Sequence, residues 1–326
     1  MKSRFAYALI AGSVALALTP ALAQTSAFEA KPLRIVIPFT VGGAQDAIGR
    51  YLGNKLATRL GVPVIIENKA GAGGVIAADA VAKSPPDGTT LLLATGGAIS
   101  IAPHLNAKLP YDVMRDFSAV AMLADTPMTL GVRSQSPYTS VADVLRDAKA
   151  RPGQVTFAST GNGTVSHLTG ELFAQKAGVQ LLHVPYRGAA PALTDLLGGQ
   201  VALVVTSATS IDPMLEGGKA RVLASFTSSA MPTLRGAPTM NEAAALKGLE
   251  VPVWVGLLAP SKTPVAQLEK LSAEIFAICT MPETRAHFRA VGAVPACGSA
   301  KELAKVVAQD TQRWASVIRQ GGIKAE

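Results

Sequence analysis

Several loops in this sequence combine glycine with hydroxyl and amide residues, and each directly follows an apolar segment. The first follows 33–37 and precedes a helical pattern, and its candidate ligand contacts are Phe39, Thr40, Gly42, Gly43, Ala44, Gln45 and Asp46. Glycine permits a turn from strand to helix, and free N–H groups at a helix start attract a carboxylate or phosphate. A plain turn is the alternative for one such loop. Its recurrence favours an anion site.

The second principal loop repeats this layout after the apolar segment 155–158. Its candidate ligand contacts are Ser159, Thr160, Gly161, Asn162, Gly163, Thr164, Ser166 and His167. Loops after other predicted strands add Thr95, Gly96, Ser100, Tyr186, Arg187, Thr206 and Ser207. Hydroxyl and backbone N–H groups can bind an anion without a formal positive charge, and an arginine can bind a carboxylate through two hydrogen bonds. A solvated role for the arginine is an equal alternative.

We expect the two principal loops to hold one negative group together, with Gly42 and Gly161 on opposite sides of it. Gly43 is expected to need a positive φ or to allow close approach of the ligand, so that Gly43→Val abolishes binding in a folded protein. Ser166 and His167 suggest a nucleophile and base. Adjacent helical residues point about 100° apart, however, and no G-x-S-x-G motif surrounds the serine. We therefore predict no enzyme activity, with Ser166 capping the helix or contacting ligand and His167 packed and hydrogen-bonded.

No cofactor or metal is predicted. The glycine-rich segment 71–74 lacks the last glycine of a dinucleotide fingerprint and is interpreted as a tight turn with close helix packing. No histidine lies at metal-ligand spacing from Cys279 or Cys297. The net charge of +8 is scattered and aromatic residues make up only 5%, which disfavours nucleic-acid binding and leaves a mild attraction for small anions.

The first residues have the pattern of a secretory signal peptide. Lys2 and Arg4 precede an uncharged stretch, and Ala21-Leu22-Ala23 is a cleavage site, so the mature chain is expected to start at Gln24. A membrane anchor is the alternative, but the stretch is shorter than the roughly 20 residues that span a bilayer. Export to an oxidising compartment makes a disulfide between the two cysteines plausible, although the sequence gives no geometry.

Alternating apolar strands and helices predict an α/β protein with doubly wound parallel sheets, whose ligands bind beyond the carboxyl ends of strands. The length fits two domains. We predict that 24–126 and 254–326 form the first domain and 127–253 the second. The final helical pattern, 299–320, is expected to dock on a sheet.

The order of these motifs resembles the periplasmic substrate-binding proteins of the tripartite tricarboxylate transporter family, also called Bug-type receptors. The resemblance rests on segments 38–46, 64–74, 85–91, 158–168, 184–188, 196–201 and 254–264. It implies a type II periplasmic binding protein fold, with two domains that close on a ligand and are joined by crossover strands. It also implies that segments 38–46 and 159–167 approach one ligand carboxylate, that a membrane permease is the partner, and that the protein is a monomer without a cofactor.

Asp46 would repel an anion, so its carboxylate is expected to hold loop N–H groups or water rather than ligand. Family members often carry an acid where Ala202 stands and another near Thr206. Their absence favours a ligand without an ammonium group, such as an aliphatic or aromatic di- or tricarboxylate, for example terephthalate. A receptor for a sensor kinase, or a periplasmic hydrolase using Ser166 and His167, are the alternative functions.

Overall fold

The structure is a computed structural model that describes residues 31–231, 234–251 and 253–323. The predicted signal peptide, 1–23, lies outside the described residues. None of the helices in the described part of the chain combines the length and apolar character needed to span a membrane.

Strands and helices alternate along most of the chain. The strands are β1 (Leu33–Ile37), β2 (Val64–Asn68), β3 (Thr90–Ala94), β4 (Phe117–Asp125), β5 (Met128–Arg133), β6 (Thr156–Ser159), β7 (Leu182–Pro185), β8 (Leu203–Ser207), β9 (Ala220–Ser225), β10 (Trp254–Pro260) and β11 (Val294–Ser299). The helices are α1 (Ala44–Leu60), α2 (Val75–Ala82), α3 (Ala102–Leu105), α4 (Val113–Asp116), α5 (Val141–Ala150), α6 (Val165–Ala177), α7 (Ala189–Leu197), α8 (Ala208–Glu216), α9 (Met240–Ala244), α10 (Val265–Thr280), α11 (Pro282–Ala290) and α12 (Ala300–Gly321). A 3₁₀ turn covers Ala72–Gly74 and a π-helical turn covers Gly97–Ile101.

The strands form two separate sheets, as the prediction of a two-domain α/β fold requires. Within the described residues the first has the order β11-β4-β10-β3-β1-β2 and the second the order β7-β6-β8-β5-β9. The sheets are mixed rather than parallel throughout, because β10 runs antiparallel to both its neighbours, and so does β5. These two strands directly follow passages of the chain from one sheet to the other, at 125–128 and 253–254.

Each sheet buries apolar side chains on both faces, as the uninterrupted apolar strands predict. In β1, Leu33, Ile35 and Ile37 pack on one face with α1, while Val36 packs on the other face with residues of α2. Several helix ends agree with their sequence signals. Ser140 caps α5 and forms a reciprocal capping box with Asp143, a residue pattern that favours a helix start.

Helix α12 contacts both halves of the molecule. Leu303 and Val307, near its start, pack in a core of the first sheet. Trp314 and Ile318, nearer its end, pack in a core of the second sheet. The sequence predicts docking on one sheet, and the structure shows that the apolar face of this helix is divided between two.

The two cysteines form the disulfide that the sequence left open. Cys279 lies at the end of α10 and Cys297 lies in β11, and their Cα atoms are 5.6 Å apart. The disulfide therefore ties a helix of the first domain to the edge strand of its sheet.

Candidate functional site

The first loop joins β1 to α1 and brings the start of that helix against the second domain. Gly43 is the N-cap residue of α1, with φ −88° and ψ 174°, while Gly42 has φ +90°. The expectation of a positive φ at Gly43 is therefore wrong, because the chain turns one residue earlier. The Ala44 N–H donates to Ser210 Oγ of the second domain over 3.3 Å.

Asp46, which is buried in the first turn of α1, holds the first loop in place. Its carboxylate accepts hydrogen bonds from the Gly42 N–H at 3.0 Å and from the Asn68 amide at 2.9 Å. Arg50 donates to the same carboxylate at 3.0 Å. Burial by itself would raise the pKa of Asp46, but the hydrogen bonds from Arg50, Gly42 and Asn68 hold it below its usual value. Asp46 thus holds a loop N–H, as predicted, and the Gly42 N–H is already occupied.

Hydroxyl groups fix the second loop from within. Ser159 Oγ accepts the Gly161 N–H at 3.1 Å, and Ser166 Oγ accepts the Thr160 N–H at 3.0 Å. The Ser166 hydroxyl donates its own hydrogen to the Val205 carbonyl at 2.6 Å. Ser166 therefore links its loop to β8 and does not cap α6.

His167 is packed and hydrogen-bonded, as the sequence predicts. Its Nδ1 accepts the Gly163 N–H at 3.3 Å, and its ring stacks on His183 at 3.9 Å between centroids. The hydroxyl of Thr164, the N-cap residue of α6, accepts the His167 N–H at 3.3 Å. Burial, together with the nearby His167, lowers the pKa of His183 to about 3, so that ring is neutral at ordinary pH. His167 is thus held by the ring of His183 and by the loop backbone. Its Nδ1 atom contacts the Gly163 N–H rather than Ser166.

A small enclosed space lies between the two loops, and we call it the inner cavity. Its volume is about 20 Å³. Its lining residues come from both domains and from the segments that cross between them: Phe39, Gly43, Gln45, Thr95, Met128, Thr160, Thr164, Val165, Ser166, Ala189, Ser207, Ser210 and Val253. None of these residues is charged.

The starts of four helices meet at the inner cavity. Gly43 is the N-cap residue of α1, Thr164 that of α6 and Ser207 that of α8, and Ala189 is the first residue of α7. The first N–H groups of a helix have no partner within the helix, and the positive end of the helix dipole lies at its start. Some of these N–H groups are already bound by hydroxyls here, such as that of Ala44 by Ser210 and that of His167 by Thr164. Helix starts favour a negative charge, so a place where four of them meet is suited to one small anion without a positively charged side chain among its lining residues.

A larger space adjoins the inner cavity, and we call it the outer cavity. Its volume is about 370 Å³. It shares Phe39 and Thr160 with the inner cavity, and its other lining residues are Pro38, Ala70, Gly71, Ala72, Gly73, Gly74, Ile76, Gly161, Asn162, Pro185, Tyr186 and Arg187.

The two domains lie in close contact around these cavities. A Cβ atom added to Gly73 would lie 2.5 Å from the carbonyl oxygen of Asn162, and one added to Gly188 would lie 2.3 Å from Thr40 Oγ1. Segment 71–74 makes the tight turn that the sequence predicts, and the structure adds that this turn packs against the second domain. Side chains at Gly73 or Gly188 would hold the domains apart.

The predicted site residues fall into three groups. The inner cavity is lined by Phe39, Gly43, Gln45, Thr95, Thr160, Thr164, Ser166 and Ser207. The outer cavity adds Gly161, Asn162, Tyr186 and Arg187. The others line neither: Thr40, Gly42, Ala44, Asp46, Gly96, Ser100, Ser159, Gly163, His167 and Thr206.

Among the third group, Ser100 and Gly96 lie beside a buried carboxylate. Ser100 is fully buried. Burial raises the pKa of the neighbouring Asp310 carboxyl, and the Ser100 hydroxyl is among the groups that oppose this rise. A Cβ atom on Gly96 would lie 2.7 Å from Asp310 Oδ2. Thr206 is also fully buried within β8. These three residues were expected at the ligand because they follow or end strands, and the structure turns them into the protein interior.

The structure also adds lining residues that the predicted set lacks. Ser210 belongs to the hydroxyl-rich segment after β8, and the glycine before Ala189 is a helix-start signal, so both had a signal in the sequence. Met128, Val165 and Val253 line the inner cavity too. Their apolar side chains carry no local sign of a binding site.

The two domains, their mixed sheets and the cavity between them define a periplasmic binding protein fold. A family model described as "Tripartite tricarboxylate transporter family receptor" matches residues 48–323. BugT of Bordetella pertussis is 34% identical over 318 residues, which cover 97% of this chain and 97% of BugT. The chain belongs to the tripartite tricarboxylate transporter receptor family.

Solved structures support the same fold. The structure of an R. palustris protein with adipate has a TM-score of 0.87 at 33% identity, covering 91% of this chain and 99% of that one. MatC from Rhodopseudomonas palustris, with bound malate, has a TM-score of 0.84 at 31% identity, covering 89% of this chain and 99% of that one. Both relatives hold small carboxylates.

Proposed function

We propose that this protein is a periplasmic receptor that captures a small carboxylate between its two domains and delivers it to a tripartite tricarboxylate-type permease. The observation that carries the proposal is the meeting of four helix starts at an uncharged cavity between the domains. Adipate and malate in the related structures support the ligand class.

One ligand carboxylate would occupy the inner cavity and accept hydrogen bonds from helix-start N–H groups and from hydroxyls such as that of Ser207. The inner cavity is too small for a whole dicarboxylate, and the two domains approach each other closely nearby, at Gly73 and Gly188. Entry of ligand therefore requires the domains to separate. The chain passages at 125–128 and 253–254 are the proposed hinge, with the domain boundaries predicted above.

The function follows from binding and release, without chemistry on the ligand. The Ser166 hydroxyl is committed to the Val205 carbonyl, which leaves it without a general base in this arrangement. We expect a bound carboxylate to be recovered unchanged. Turnover that disappears in Ser166→Ala would contradict this part of the proposal.

Thermal-shift screening of mono-, di- and tricarboxylates tests the binding function. A true ligand at a hundred times its Kd should stabilise the protein by about 2.7 kcal/mol. Small-angle scattering should show a smaller radius of gyration with ligand. Absence of stabilisation and of compaction across the whole panel would refute the proposal.

Two further measurements test the location and the partner. The N-terminal sequence of exported protein should begin at Gln24. Liganded protein should retain permease subunits from a membrane extract, whereas retention of a sensor kinase alone would show a signalling role and contradict delivery.

A further inference from the structure

Two acids are almost completely buried in the described part of the chain, Asp46 and Asp310, which are 4% and 6% exposed. Asp46 is paired with Arg50, with 2.9 Å between Arg50 Nη2 and Asp46 Oδ1. Asp310, on α12, forms no ion pair with any described residue. The Trp254 indole N–H donates to Asp310 Oδ2 at 2.8 Å. Asp310 is therefore a buried carboxyl group that is hydrogen-bonded but not neutralised by a cation.

Asp310 lies directly behind the wall of the inner cavity. Thr95 and Val165 line that cavity, and Gly96 follows Thr95 in the chain. A Cβ atom added to Gly96 would lie 2.7 Å from Asp310 Oδ2 and 3.0 Å from Val165 Cγ2. The thickness of one glycine residue therefore separates the Asp310 carboxylate from the cavity wall. A ligand carboxylate in the cavity and an ionised Asp310 would repel each other across this short, buried distance.

The surroundings of Asp310 offset its charge only weakly. Burial raises its pKa, and the hydrogen bond from Trp254 opposes that rise more than the positive charge of Arg313 does. Arg313 is exposed, so water screens its charge. The titratable side chains on the helices and strands packed against α12 are His104 on α3, Asp125 on β4, and His167, Glu171 and Lys176 on α6. No ion pair joins any of these residues to Asp310.

We propose that Asp310 takes up a proton from solvent when a carboxylate enters the inner cavity, so that ligand affinity rises as the pH falls. This inference rests on the proposed carboxylate-receptor function and adds a proton to its binding equilibrium. A nearby negative charge favours the neutral form of a carboxyl group, and by linkage the neutral form of that group favours binding of the anion. The Trp254 N–H can still donate to Oδ2 of the protonated group.

The sign of the pH dependence follows from this repulsion. Affinity should increase as the pH falls through the pKa of Asp310, which burial raises above its ordinary value of 3.8. At alkaline pH Asp310 stays ionised with or without ligand, and the repulsion should weaken binding by roughly tenfold, the effect of two unit charges about 10 Å apart at an effective dielectric constant of about 20.

Asp310→Asn removes the charge and keeps an oxygen that can accept the Trp254 N–H. It should bind roughly tenfold more tightly than the original protein at about pH 8, and the two affinities should converge as the pH falls. Damage to the structure would lower the affinity, so a gain separates loss of charge from loss of fold.

Isothermal titration calorimetry between about pH 5.5 and 8 measures both affinity and proton uptake. The probe is whichever of succinate, adipate, malate and terephthalate binds the original protein most tightly. Titration in buffers of different ionisation enthalpy counts the protons taken up on binding. The original protein should take up more protons than Asp310→Asn, by up to one, because titration of the probe itself is common to both proteins.

Two more variants complete the test. Glu269→Gln is the matched control, because Glu269 is exposed on α10, lines neither cavity and gives the same change in net charge. It should have the affinity and the proton uptake of the original protein. Trp254→Phe removes the hydrogen bond that favours the ionised form of Asp310, so proton uptake should move to a higher pH.

The inference is overturned if Asp310→Asn takes up as many protons on binding as the original protein, or if its affinity at about pH 8 is no higher. Should Asp310→Asn fail to fold, proton uptake by Trp254→Phe over the same pH range as the original protein overturns it. These outcomes leave carboxylate binding intact, whereas a failure of the original protein to bind any of the four acids would refute the proposed function as well.

Discussion

Gly73→Ala should hold the two domains apart and weaken ligand binding. Gly73 has φ +63°, and its added Cβ would lie 2.5 Å from the carbonyl oxygen of Asn162 in the other domain. An ordinary contact for such a Cβ starts at 3.4 Å. The neighbour is backbone and cannot rotate away, so the domains must separate here by nearly 1 Å, or the loop must deform.

The expected loss of ligand affinity follows from the energies of the open and closed domain arrangements. A clash of this kind costs about 1–3 kcal/mol, and it arises only when the domains are closed. The substitution should therefore weaken ligand affinity by roughly 5- to 160-fold. An alanine in the left-handed region costs about 1–2 kcal/mol in addition. This backbone strain is present in both the open and the closed state. It therefore lowers the free energy of unfolding but does not change the ligand affinity.

Gly61→Ala is the control that separates these two terms. Gly61 ends α1 with φ +68°, and an added Cβ there meets no atom within 4 Å. Both variants should lose similar stability in denaturant unfolding, and only Gly73→Ala should lose affinity in calorimetry and compaction in scattering. Equal affinity in Gly73→Ala and Gly61→Ala would show that the contact with Asn162 does not limit closure.

Three further substitutions test stability terms of the same structure. Asp46→Asn should cost about 1–3 kcal/mol of unfolding free energy and weaken binding, since Arg50 and a loop N–H lose their charged acceptor. The pKa of Asp46 in the folded protein is held below its ordinary value of 3.8. The stabilisation by this carboxylate is therefore complete above pH 3.8 and is lost as the pH falls through the folded-state pKa. Burial raises the pKa of Asp125 to about 6, so this carboxylate destabilises the fold above that pH and ceases to do so below its unfolded value of 3.8. Asp125→Asn should raise the melting temperature at about pH 8, by the equivalent of roughly 2–3 kcal/mol at most, and leave it nearly unchanged at about pH 4. Replacement of Cys279 and Cys297 by serine opens a crosslink between residues 18 apart and should cost about 3 kcal/mol in denaturant unfolding, with ligand affinity unchanged.

Each of these predictions has a result that would contradict it. Unchanged affinity in Asp46→Asn would show that the first loop keeps its shape without the carboxylate. A melting temperature of Asp125→Asn that differs from the original protein equally at both pH values would remove titration as the cause. A loss of affinity in the serine double variant, with stability unchanged, would mean that the disulfide acts on the cleft rather than on the fold.

The sequence was most informative where the physical cause is local. Apolar strands, capping residues such as Ser140 and the glycine turns indicate which segments become strands, helices and turns, because these signals act over a few residues. The role of Asp46 was also predictable. An acid next to an anion site is repulsive unless it binds loop donors, and in the structure it accepts the Gly42 N–H.

The sequence was less informative about the direction in which a residue faces. Gly42 and Gly43 are adjacent and chemically identical, and only the path of the chain gives the first a positive φ and the second a place on the cavity wall. Ser100 and Ser207 both lie near a strand end and both are buried, yet Ser100 lines neither cavity while Ser207 lines the inner cavity.

By itself, then, the sequence determined that this is a two-domain α/β protein with repeated glycine- and hydroxyl-rich helix starts, because strand pattern, helix caps and glycine turns are encoded locally. The tertiary structure alone decided which helix starts meet, that Gly73 closes against Asn162, and that α12 packs on both sheets through residues such as Leu303 and Trp314. Those contacts join residues far apart in the chain. They depend on how the two sheets are placed relative to each other, which no local pattern of residues specifies.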